Sequence, residues 1–591
     1  MKKFKTVFNN MKYFVPLLLK TSPMVIISMV IVSILGSIED LIFIIFPKMI
    51  VEELWGNKDK VILLYVVIIF VGSLFISTFL SNIFSRIQYY CIQKADFKID
   101  EMFNKKISSI DYFHIEDPKF ADELSYAKQC LNQYSNGIYS VVYALSTIIR
   151  SIITITSVFS IVMLYSRIDI LLITLVGVII SVRIYGKYQQ LDEEYNKQFV
   201  RTNRRQWYFN KSIVSFRLQK ELRLYNAYDY IKEKGTEVNE EIDQGLKTLT
   251  KKNKRYNVLD ISYHYIFAMF ITISILVYSV YKGDITLPIF TMLFSALSVL
   301  KNNMSNLIYG LKTYYKDCTY QENFIKLMKS ESVFKLGTKH IEEIKEIEFK
   351  NVSFKYPRTD NYILQNVSFK ITNKEKTSLV GLNGAGKTTI IKLLCRFFEV
   401  KEGEILVNGI NINEYLYDEY MNCLSVVFQD FKIISFSIKN NIEIDQDNQE
   451  KLYDVLSRSK VLDRVMELPN KEHTYINKWF DKTGVEFSGG EMQKFALSRA
   501  LYKDASFVIL DEPTSALDAM AEAEIYYHFK DVVGTKLCMF ISHRLSSCIF
   551  SDNILVLDGN KIVECGNHNE LMQNTEGLYY KMFKSQAEYY K

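Results

Sequence analysis

The sequence predicts a multi-domain fold in which an all-α domain of six transmembrane helices is followed by an α/β domain of the P-loop type. Two observations support this prediction. Apolar runs dominate residues 24–311, whereas the residues after 341 have the alternating short strands and helices of a soluble α/β domain. A glycine-rich loop at residues 381–389 also stands between a predicted strand and a predicted helix. We therefore expect a membrane domain over 1–330 and an α/β domain over 341–591.

Six apolar stretches are long enough, or nearly long enough, to cross a membrane as helices. A hydrocarbon core about 30 Å thick requires about 20 apolar residues per helix. The stretches are Met24–Met49, Val61–Phe84, Val141–Tyr165, Ile170–Tyr188, Ile261–Tyr281 and Leu287–Leu311. The first one follows a basic segment, but it is too long for a signal-peptide core and lacks a small-residue cleavage site. We therefore expect it to remain as a membrane anchor.

The distribution of basic residues predicts the orientation of these helices. Lys and Arg are concentrated in the N-terminal segment and in residues 85–140 and 189–260, whereas the other connections are short. Because basic loops favour the cytoplasmic side, we expect both termini and the α/β domain to lie in the cytoplasm.

Residues 85–140 and 189–260 form two long cytoplasmic insertions. Segments such as 117–124 and 220–225 mix apolar and charged residues at helical spacing. We interpret the insertions as helices that extend from the membrane, each pair ending in a short turn that contacts the α/β domain. The alternative is that they are solvated amphipathic helices with no coupling role.

The charged residues within the membrane stretches include Glu39, Asp40, Arg150 and Lys301. Because a charge at mid-membrane costs on the order of 3 kcal/mol, each one requires an explanation. They could line a water-filled cavity, in which Arg150 and Lys301 would attract an anionic substrate. Alternatively, they pair with one another or reach the membrane surface.

The glycine-rich loop has the features of a phosphate-binding P-loop. A short apolar strand, 377–380, precedes it and a helical pattern, 390–398, follows it. The loop itself is Gly381-Leu382-Asn383-Gly384-Ala385-Gly386-Lys387-Thr388-Thr389. Its glycines let backbone N–H groups surround the phosphates, Lys387 can reach the β- and γ-phosphates, and Thr388 can hold Mg²⁺.

Two further strands end in polar residues that we assign to the same site. Strand 507–510 leads into Asp511 and Glu512, and strand 537–541 leads to His543. Groups at the carboxyl ends of strands in such a sheet lie beside the nucleotide. We expect Asp511 to orient Mg²⁺, Glu512 to polarise the attacking water, and His543 to contact the γ-phosphate.

Charge and cysteine usage disfavour other classes of function. The net charge of +6 is spread along the chain without a dense basic stripe, so we do not expect a nucleic-acid partner. The eight cysteines have no zinc-ligand spacing, and we interpret them as reduced structural thiols.

The segment before Asp511 resembles the signature motif of ABC transporters; it reads Phe487-Ser488-Gly489-Gly490-Glu491-Met492-Gln493-Lys494. The other nucleotide-site motifs of that family also have counterparts, namely Tyr356, Gln429 and the segment Ser515-Ala516-Leu517-Asp518. Six helices with two long insertions ahead of one ATPase domain resemble the family's exporter-type half-transporters, so the resemblance covers essentially the whole chain.

The resemblance implies that two ATPase domains close head to tail around ATP. Each ATP would lie between the P-loop of one chain and the Ser488-Gly489-Gly490 turn of the other, so one chain cannot complete a site. Tyr356 would stack on adenine, and Gln429 would link Mg²⁺ to the membrane domain. The partner would be a second copy of this chain or a related half-transporter, in contact with membrane lipid in a bacterial cell membrane.

Three positions of the signature motif depart from the family pattern. Phe487 stands where Leu is usual, Glu491 where Gln is usual, and Lys494 where Arg is usual. We expect Glu491 to bring negative charge toward the nucleotide of the partner. Because the other motif residues are intact, we still expect a site that is competent for hydrolysis.

These features predict an exporter that alternates between inward- and outward-open states as ATP is bound and hydrolysed. Fusion of the two domains in one chain favours export, since importers of this family usually keep them apart. A soluble ABC ATPase is excluded by the membrane stretches, whereas an ATP-gated channel or sensor remains the alternative. The substrate could be a lipid, an amphipathic drug or a peptide. We do not expect a leader-cleaving peptide exporter, because no peptidase-like domain precedes the first helix.

Overall fold

The computed structural model describes residues 2–589, except for 58, 132–136, most of 166–200, 216–217, 262–268, 333, 335–336, 358, 444–447, 513–533, 535 and 543. The chain divides into two units. The first consists of Met1–Ile107 and Glu123–Lys329, and the second of Ser108–Asp122 and Ser330–Lys591. Part of the first long insertion predicted from the sequence, residues 85–140, therefore belongs to the second unit.

The chain before residue 330 is helical where it is described. In chain order its helices are α1 (Lys2–Thr21), α2 (Met24–Glu52), α3 (Lys60–Ser108), α4 (Tyr112–Ile115), α5 (Pro118–Gln129), α6 (Ile138–Leu164), α7 (residues 201–214), α8 (Gln219–Leu224), α9 (Tyr228–Ile261), α10 (Met269–Lys282) and α11 (Leu287–Met328). At 49 residues, α3 is about 74 Å long, more than twice the thickness of the hydrocarbon core. Its second half therefore extends beyond the membrane, as the sequence predicts for the insertions.

Within the described residues, three helices are long and apolar enough to cross a membrane: Met24–Gly56, Lys60–Ser108 and Ile138–Leu164. They contain the first three predicted stretches. The predicted fourth stretch lies mostly outside the described residues, as does the start of the fifth, whose remainder forms α10. The sixth predicted stretch forms the first part of α11, which continues to Met328.

Helices α2, α6 and α11 pack against one another. Their contact includes a buried apolar cluster with Ile44, Val158 and Leu293. The hydroxyl groups of Ser33 and Ser146 lie 3.0 Å apart and join α2 to α6. Small hydroxyl residues of this kind let membrane helices approach closely and satisfy polar groups between them.

The second unit contains two β-sheets. The strands are β1 (Glu346–Phe354), β2 (Leu364–Thr372), β3 (Lys376–Gly381), β4 (Glu402–Val407), β5 (Ile410–Asn411), β6 (Leu424–Val427), β7 (Phe507–Asp511), β8 (Leu537–Ile541), β9 (Asn553–Asp558) and β10 (Lys561–Gly566). One sheet is antiparallel, in the order β2-β1-β4-β5. The other has the order β10-β9-β3-β8-β7-β6 and is parallel except for β10.

After residue 330, the second unit also contains α-helices. They are α12 (Lys387–Leu394), α13 (Tyr417–Asn422), α14 (Ile438–Ile442), α15 (Gln449–Arg458), α16 (Leu462–Met466), α17 (Gly489–Lys503), α18 (His568–Gln573) and α19 (Leu578–Tyr589). Strands β7 and β8 are buried along their whole length, which explains their uninterrupted apolar sequences. Because β3, β8 and β7 are neighbours and parallel, the residues that follow them meet at one edge of the sheet.

Candidate active site

Backbone geometry makes glycine necessary in the loop between β3 and α12. Gly386 adopts a left-handed conformation with φ of 106° and caps α12. A side chain there would approach the carbonyl of Ile363 at 3.0 Å, and one at Gly381 would lie 2.2 Å from the carbonyl of Leu557. The loop therefore turns tightly and leaves the N–H groups of the first turn of α12 available for an anion. Loop residues Leu382, Asn383, Gly384 and Thr388 are exposed, whereas Ala385 and Thr389 are buried.

Lys387 is a buried cation at the start of α12. Its Nζ donates hydrogen bonds to the carbonyls of Gly381, at 2.9 Å, and Leu382, at 3.1 Å. Burial lowers the pKa of Lys387, while the charges of Glu512 and Asp511 act in the opposite direction. The ammonium group thus lies inside the loop that would surround the phosphates.

Asp511 stands at the end of β7, opposite the P-loop. Its Oδ2 accepts a hydrogen bond of 3.2 Å from the hydroxyl of Thr388. Burial, together with the charge of Glu512, raises the pKa of Asp511 to about 6. A carboxylate held in this way gains from a bound cation, and the hydroxyl and carboxylate oxygens at this position suit Mg²⁺. No group of three His, Cys, Asp or Glu side chains that could hold a metal by itself occurs among the described residues.

Glu512 follows in a left-handed conformation with φ of 50°. Its N–H donates to the carbonyl of Ile541, and its own carbonyl accepts a 3.0 Å hydrogen bond from Gln493. Its side chain accepts a 2.9 Å hydrogen bond from Nε2 of Gln429. Unfavourable backbone conformations that neighbouring groups enforce are common at active sites, because they fix the direction of one side chain. Two residues that the sequence assigns separately, Gln429 and Glu512, are therefore in direct contact.

The signature segment begins helix α17 with a reciprocal cap. The hydroxyl of Ser488 accepts from the N–H of Glu491 at 3.2 Å, and the carboxylate of Glu491 accepts from the N–H of Ser488 at 2.8 Å. The other carboxylate oxygen of Glu491 lies 3.0 Å from Nε of Arg464. Although burial opposes this charge, the bonds to Ser488 and Arg464 hold the pKa of Glu491 below its ordinary value.

The prediction that Glu491 brings negative charge toward the nucleotide of the partner stays a prediction. Within this chain, its carboxylate turns back into the first turn of α17 and pairs with Arg464. The spacing of Ser488 and Glu491 matches a capping box, a signal that was present in the sequence. Gly489 and Gly490 form the start of the helix beside this cap.

Tyr356 is held by the P-loop helix. Its hydroxyl lies 3.1 Å from the hydroxyl of Thr389, and its ring meets those of Phe398 and Phe354 edge to face, at 5.1 Å and 5.2 Å. These contacts fix the ring on the same helix that carries Lys387. Two further predicted elements, His543 and the segment Ser515–Asp518, lie outside the described residues.

Two charged residues of the membrane stretches, Asp40 and Arg150, belong to a separate polar cluster. Asp40 of α2 accepts hydrogen bonds from Arg150 at 2.9 Å and from Thr154 and Asn303 at 3.0 Å each. Gly36 makes room for the cluster, because a side chain there would lie 2.8 Å from the guanidinium carbon. The contacts favour mutual pairing over the interpretation in which Arg150 is free to attract an anion. Glu39 and Lys301 are partly buried on α2 and α11.

Comparison with known proteins agrees with this architecture. A family model described as ABC transporter matches residues 364–515. The subtilin transport ATP-binding protein SpaT of Bacillus subtilis is 32% identical over 541 residues, which cover 90% of this chain and 86% of that protein. The ATP-dependent lipid A-core flippase of Escherichia coli strain K12 is 25% identical over 568 residues, 94% of each protein.

A solved structure of a bacterial Atm1-family ABC exporter with ATP bound has the same fold. Its TM-score is 0.78 over 95% of this chain and 99% of that one, at 21% identity. The predicted fold class, a helical membrane region followed by an α/β ABC ATPase, is thereby confirmed. The chain belongs to the ABC transporter family and is an exporter subunit that binds ATP and couples its hydrolysis to transport across a membrane.

Proposed function

We propose that two copies of this chain assemble in a bacterial cell membrane and export a peptide, with both termini and the ATPase domains in the cytoplasm. The observation that carries this proposal is the 32% identity to the subtilin transport protein across 90% of the chain. Identity to the lipid A-core flippase is lower, at 25%. A peptide is therefore the first substrate class to test, and a lipid is the second.

Nucleotide binding would replace contacts that the P-loop now makes with itself. Lys387 would exchange the carbonyls of Gly381 and Leu382 for the β- and γ-phosphates, and Tyr356 would stack on adenine. Thr388, Gln429 and Asp511 would hold Mg²⁺, which neutralises charge on the phosphate oxygens when bound. The raised pKa of Asp511 supports this role, since a buried carboxylate without a cation is costly.

Hydrolysis would use Glu512 as the group that accepts a proton from the attacking water. The water oxygen forms a bond to the γ-phosphorus, the bond to the bridging oxygen of ADP breaks, and phosphate leaves. Gln429 is placed to hold the carboxylate of Glu512, to which it donates a hydrogen bond. His543 would contact the γ-phosphate from the end of the neighbouring strand.

The second half of each site would come from the other copy. The Ser488–Gly490 turn opens α17 with backbone donors suited to an anion, yet it has no phosphate-binding lysine of its own. Closure of two chains around two ATP molecules would change the membrane domains from inward- to outward-open, and hydrolysis would reverse the change.

The proposal is tested with the purified chain in inside-out liposomes, using Glu512→Gln as the inactive control. We expect ATP-dependent accumulation of a peptide against its gradient, which the control does not support. Movement of a fluorescent lipid without peptide uptake would favour the lipid alternative. ATP-dependent conductance without uphill movement of any compound would instead favour a channel.

A further inference from the structure

A single lysine on the P-loop helix contacts two segments that are far apart in sequence. Lys392 lies near the end of α12, five residues after Lys387. Its Nζ is 2.7 Å from Oε1 of Glu116, which belongs to the first cytoplasmic insertion. The same Nζ lies 5.4 Å from the centre of the Tyr356 ring. One ammonium group therefore serves both a carboxylate of the insertion and the aromatic ring proposed for adenine.

The ion pair is partly removed from water, which makes it stronger than an ordinary surface pair. The side chains of Lys392 and Glu116 are 21% and 33% exposed. Burial is the largest single effect and lowers the pKa of Lys392, but the hydrogen bond to Glu116 and the charge interactions with Glu116, Tyr356 and Tyr112 together raise it above its ordinary value. The position of Lys392 is therefore determined by Glu116 as well as by its own helix.

The insertion is also attached to the ATPase unit by contacts that do not involve Lys392. The ring of Tyr112 stacks on Phe397 at 4.4 Å, with an interplanar angle of 23°. Phe113 meets Phe334 edge to face at 6.2 Å, and Asp111 accepts a hydrogen bond from Ser332. Loss of the lysine charge would therefore leave residues 108–122 in place.

Adenine and Lys392 act on the same ring. A cation over one face of a tyrosine is attracted to its π electrons, and stacking of a base on that ring changes this attraction. The hydroxyl of Tyr356 is hydrogen-bonded to Thr389, and its ring packs edge to face against Phe354 and Phe398, so the ring cannot turn away from Lys392 without losing these contacts. Binding of adenine must therefore alter the energy of the Lys392–Glu116 pair, and the reverse effect is of equal size by linkage.

We infer that Lys392 is a positioning residue that orients Tyr356 for adenine and, through Glu116, makes adenine binding depend on the first cytoplasmic insertion. This inference rests on the proposed function, because it takes Tyr356 as the adenine contact. It predicts that a change confined to the insertion alters affinity for ATP without altering contacts to the phosphates.

Equilibrium binding to the full chain in lipid nanodiscs tests the inference without requiring hydrolysis. The variants are Lys392→Met, Glu116→Gln and the double variant, each titrated with ATP and with inorganic triphosphate in the presence of Mg²⁺. We expect each single variant to weaken ATP binding by about fivefold or more, with the double variant no weaker than Lys392→Met. Binding of inorganic triphosphate, which has no adenine, should stay within about twofold.

Two controls separate this role from general loss of structure. Lys392→Arg keeps the charge and should restore most of the affinity for ATP. Lys370→Met removes an ion pair of similar length, Lys370 with Glu346 at 2.8 Å, which is more exposed and should leave the binding of both ligands unchanged. The reciprocal effect is measured by hydrogen exchange of the backbone amides of residues 110–116 in a chain that carries Glu512→Gln and cannot hydrolyse ATP. ATP should slow this exchange in the Glu512→Gln chain. It should not slow the exchange when Lys392→Met is added to that chain.

Three results would overturn the inference. Glu116→Gln could bind ATP as tightly as the parent chain. The losses of ATP affinity in the two single variants could add in the double variant, or the variants could weaken binding of inorganic triphosphate as much as binding of ATP. The last result would mean that Lys392 acts only as a positive charge near the phosphates. None of these depends on turnover or cargo, so failure here is distinct from failure of the hydrolysis and transport assays.

Discussion

Asp511, the residue that we propose orients Mg²⁺, lowers the stability of the nucleotide-free chain when it is ionised. Burial and the neighbouring Glu512 raise its pKa from an ordinary value of 3.8 to about 6. Between about pH 4 and pH 6 the folded chain retains a proton that the unfolded chain releases, so stability falls as pH rises through this window. Above it, the ionised carboxylate costs at most about 3 kcal/mol, a net figure that already includes the favourable effects of Thr388 and Lys387.

Substitution of Asp511 by Asn should therefore stabilise the nucleotide-free chain. We expect Asp511→Asn to raise the thermal unfolding temperature at about pH 7.5 and to leave it nearly unchanged at about pH 4.5, where the acid is largely protonated. Thermal unfolding at both pH values, without nucleotide, checks this. A lower unfolding temperature at the higher pH would contradict it. The same variant should bind Mg²⁺-ATP more weakly.

At the scale of one element, helix α17 depends on the cap that Glu491 and Ser488 form. Glu491→Ala removes an acceptor and a partner of Arg464, so we expect a loss of about 1 kcal/mol in stability and lower ATPase activity. Glu491→Gln keeps an acceptor for the N–H of Ser488 and should retain most of the activity. Unfolding curves and kcat of the two variants provide the measurement.

A second capping box in the same chain supplies the control. Asn567 and Glu570 cap α18 with the same reciprocal pair of hydrogen bonds. Glu570→Ala should cost similar stability and leave kcat unchanged. If Glu491→Ala and Glu570→Ala affected kcat equally, the cap of α17 would have no specific role in hydrolysis.

The polar cluster in the membrane domain connects three elements, α2, α6 and α11. Asp40→Asn and Arg150→Met should each lower the thermal stability, and the double variant should lose less than the sum, with a coupling of about 1–3 kcal/mol. Unfolding of the three variants in lipid nanodiscs gives this coupling. Additive losses, together with reduced export of anionic compounds by Arg150→Met alone, would restore the interpretation of Arg150 as a substrate contact.

Element by element, local patterns in the sequence predicted most of the ATPase unit. The strand that leads into Asp511 is an uninterrupted apolar run, whereas the strand before the P-loop contains buried Thr377 and Ser378. The loop glycines are required by local backbone geometry. The pairing of Arg150 with Asp40 joins residues 110 positions apart, and that of Lys392 with Glu116 joins residues 276 apart. The hydrophobic periodicity of the sequence does not predict such pairs, because they form only after the helices and strands pack together.

At the scale of the whole molecule, one chain carries a P-loop and a signature turn that belong to different ATP sites in the proposed assembly. A dimer of two copies then contains two sites, each made from the P-loop of one chain and the Ser488–Gly490 turn of the other. Lys387→Ala disables the first half of a site. Gly489→Asp places a negative charge on an exposed helix start, where the fold tolerates it but a phosphate is repelled.

The most direct test is the ATPase activity of mixed dimers isolated through two different affinity tags. When Lys387→Ala is on one chain and Gly489→Asp on the other, one site keeps both intact halves, and we expect activity of roughly half that of the parent, or less if the two sites act in concert. When both substitutions are on one chain paired with a parent chain, each site has one disabled half, and we expect almost none. The opposite pattern, with activity only in the second pair, would mean that each chain completes its own site, and it would contradict the shared-site account.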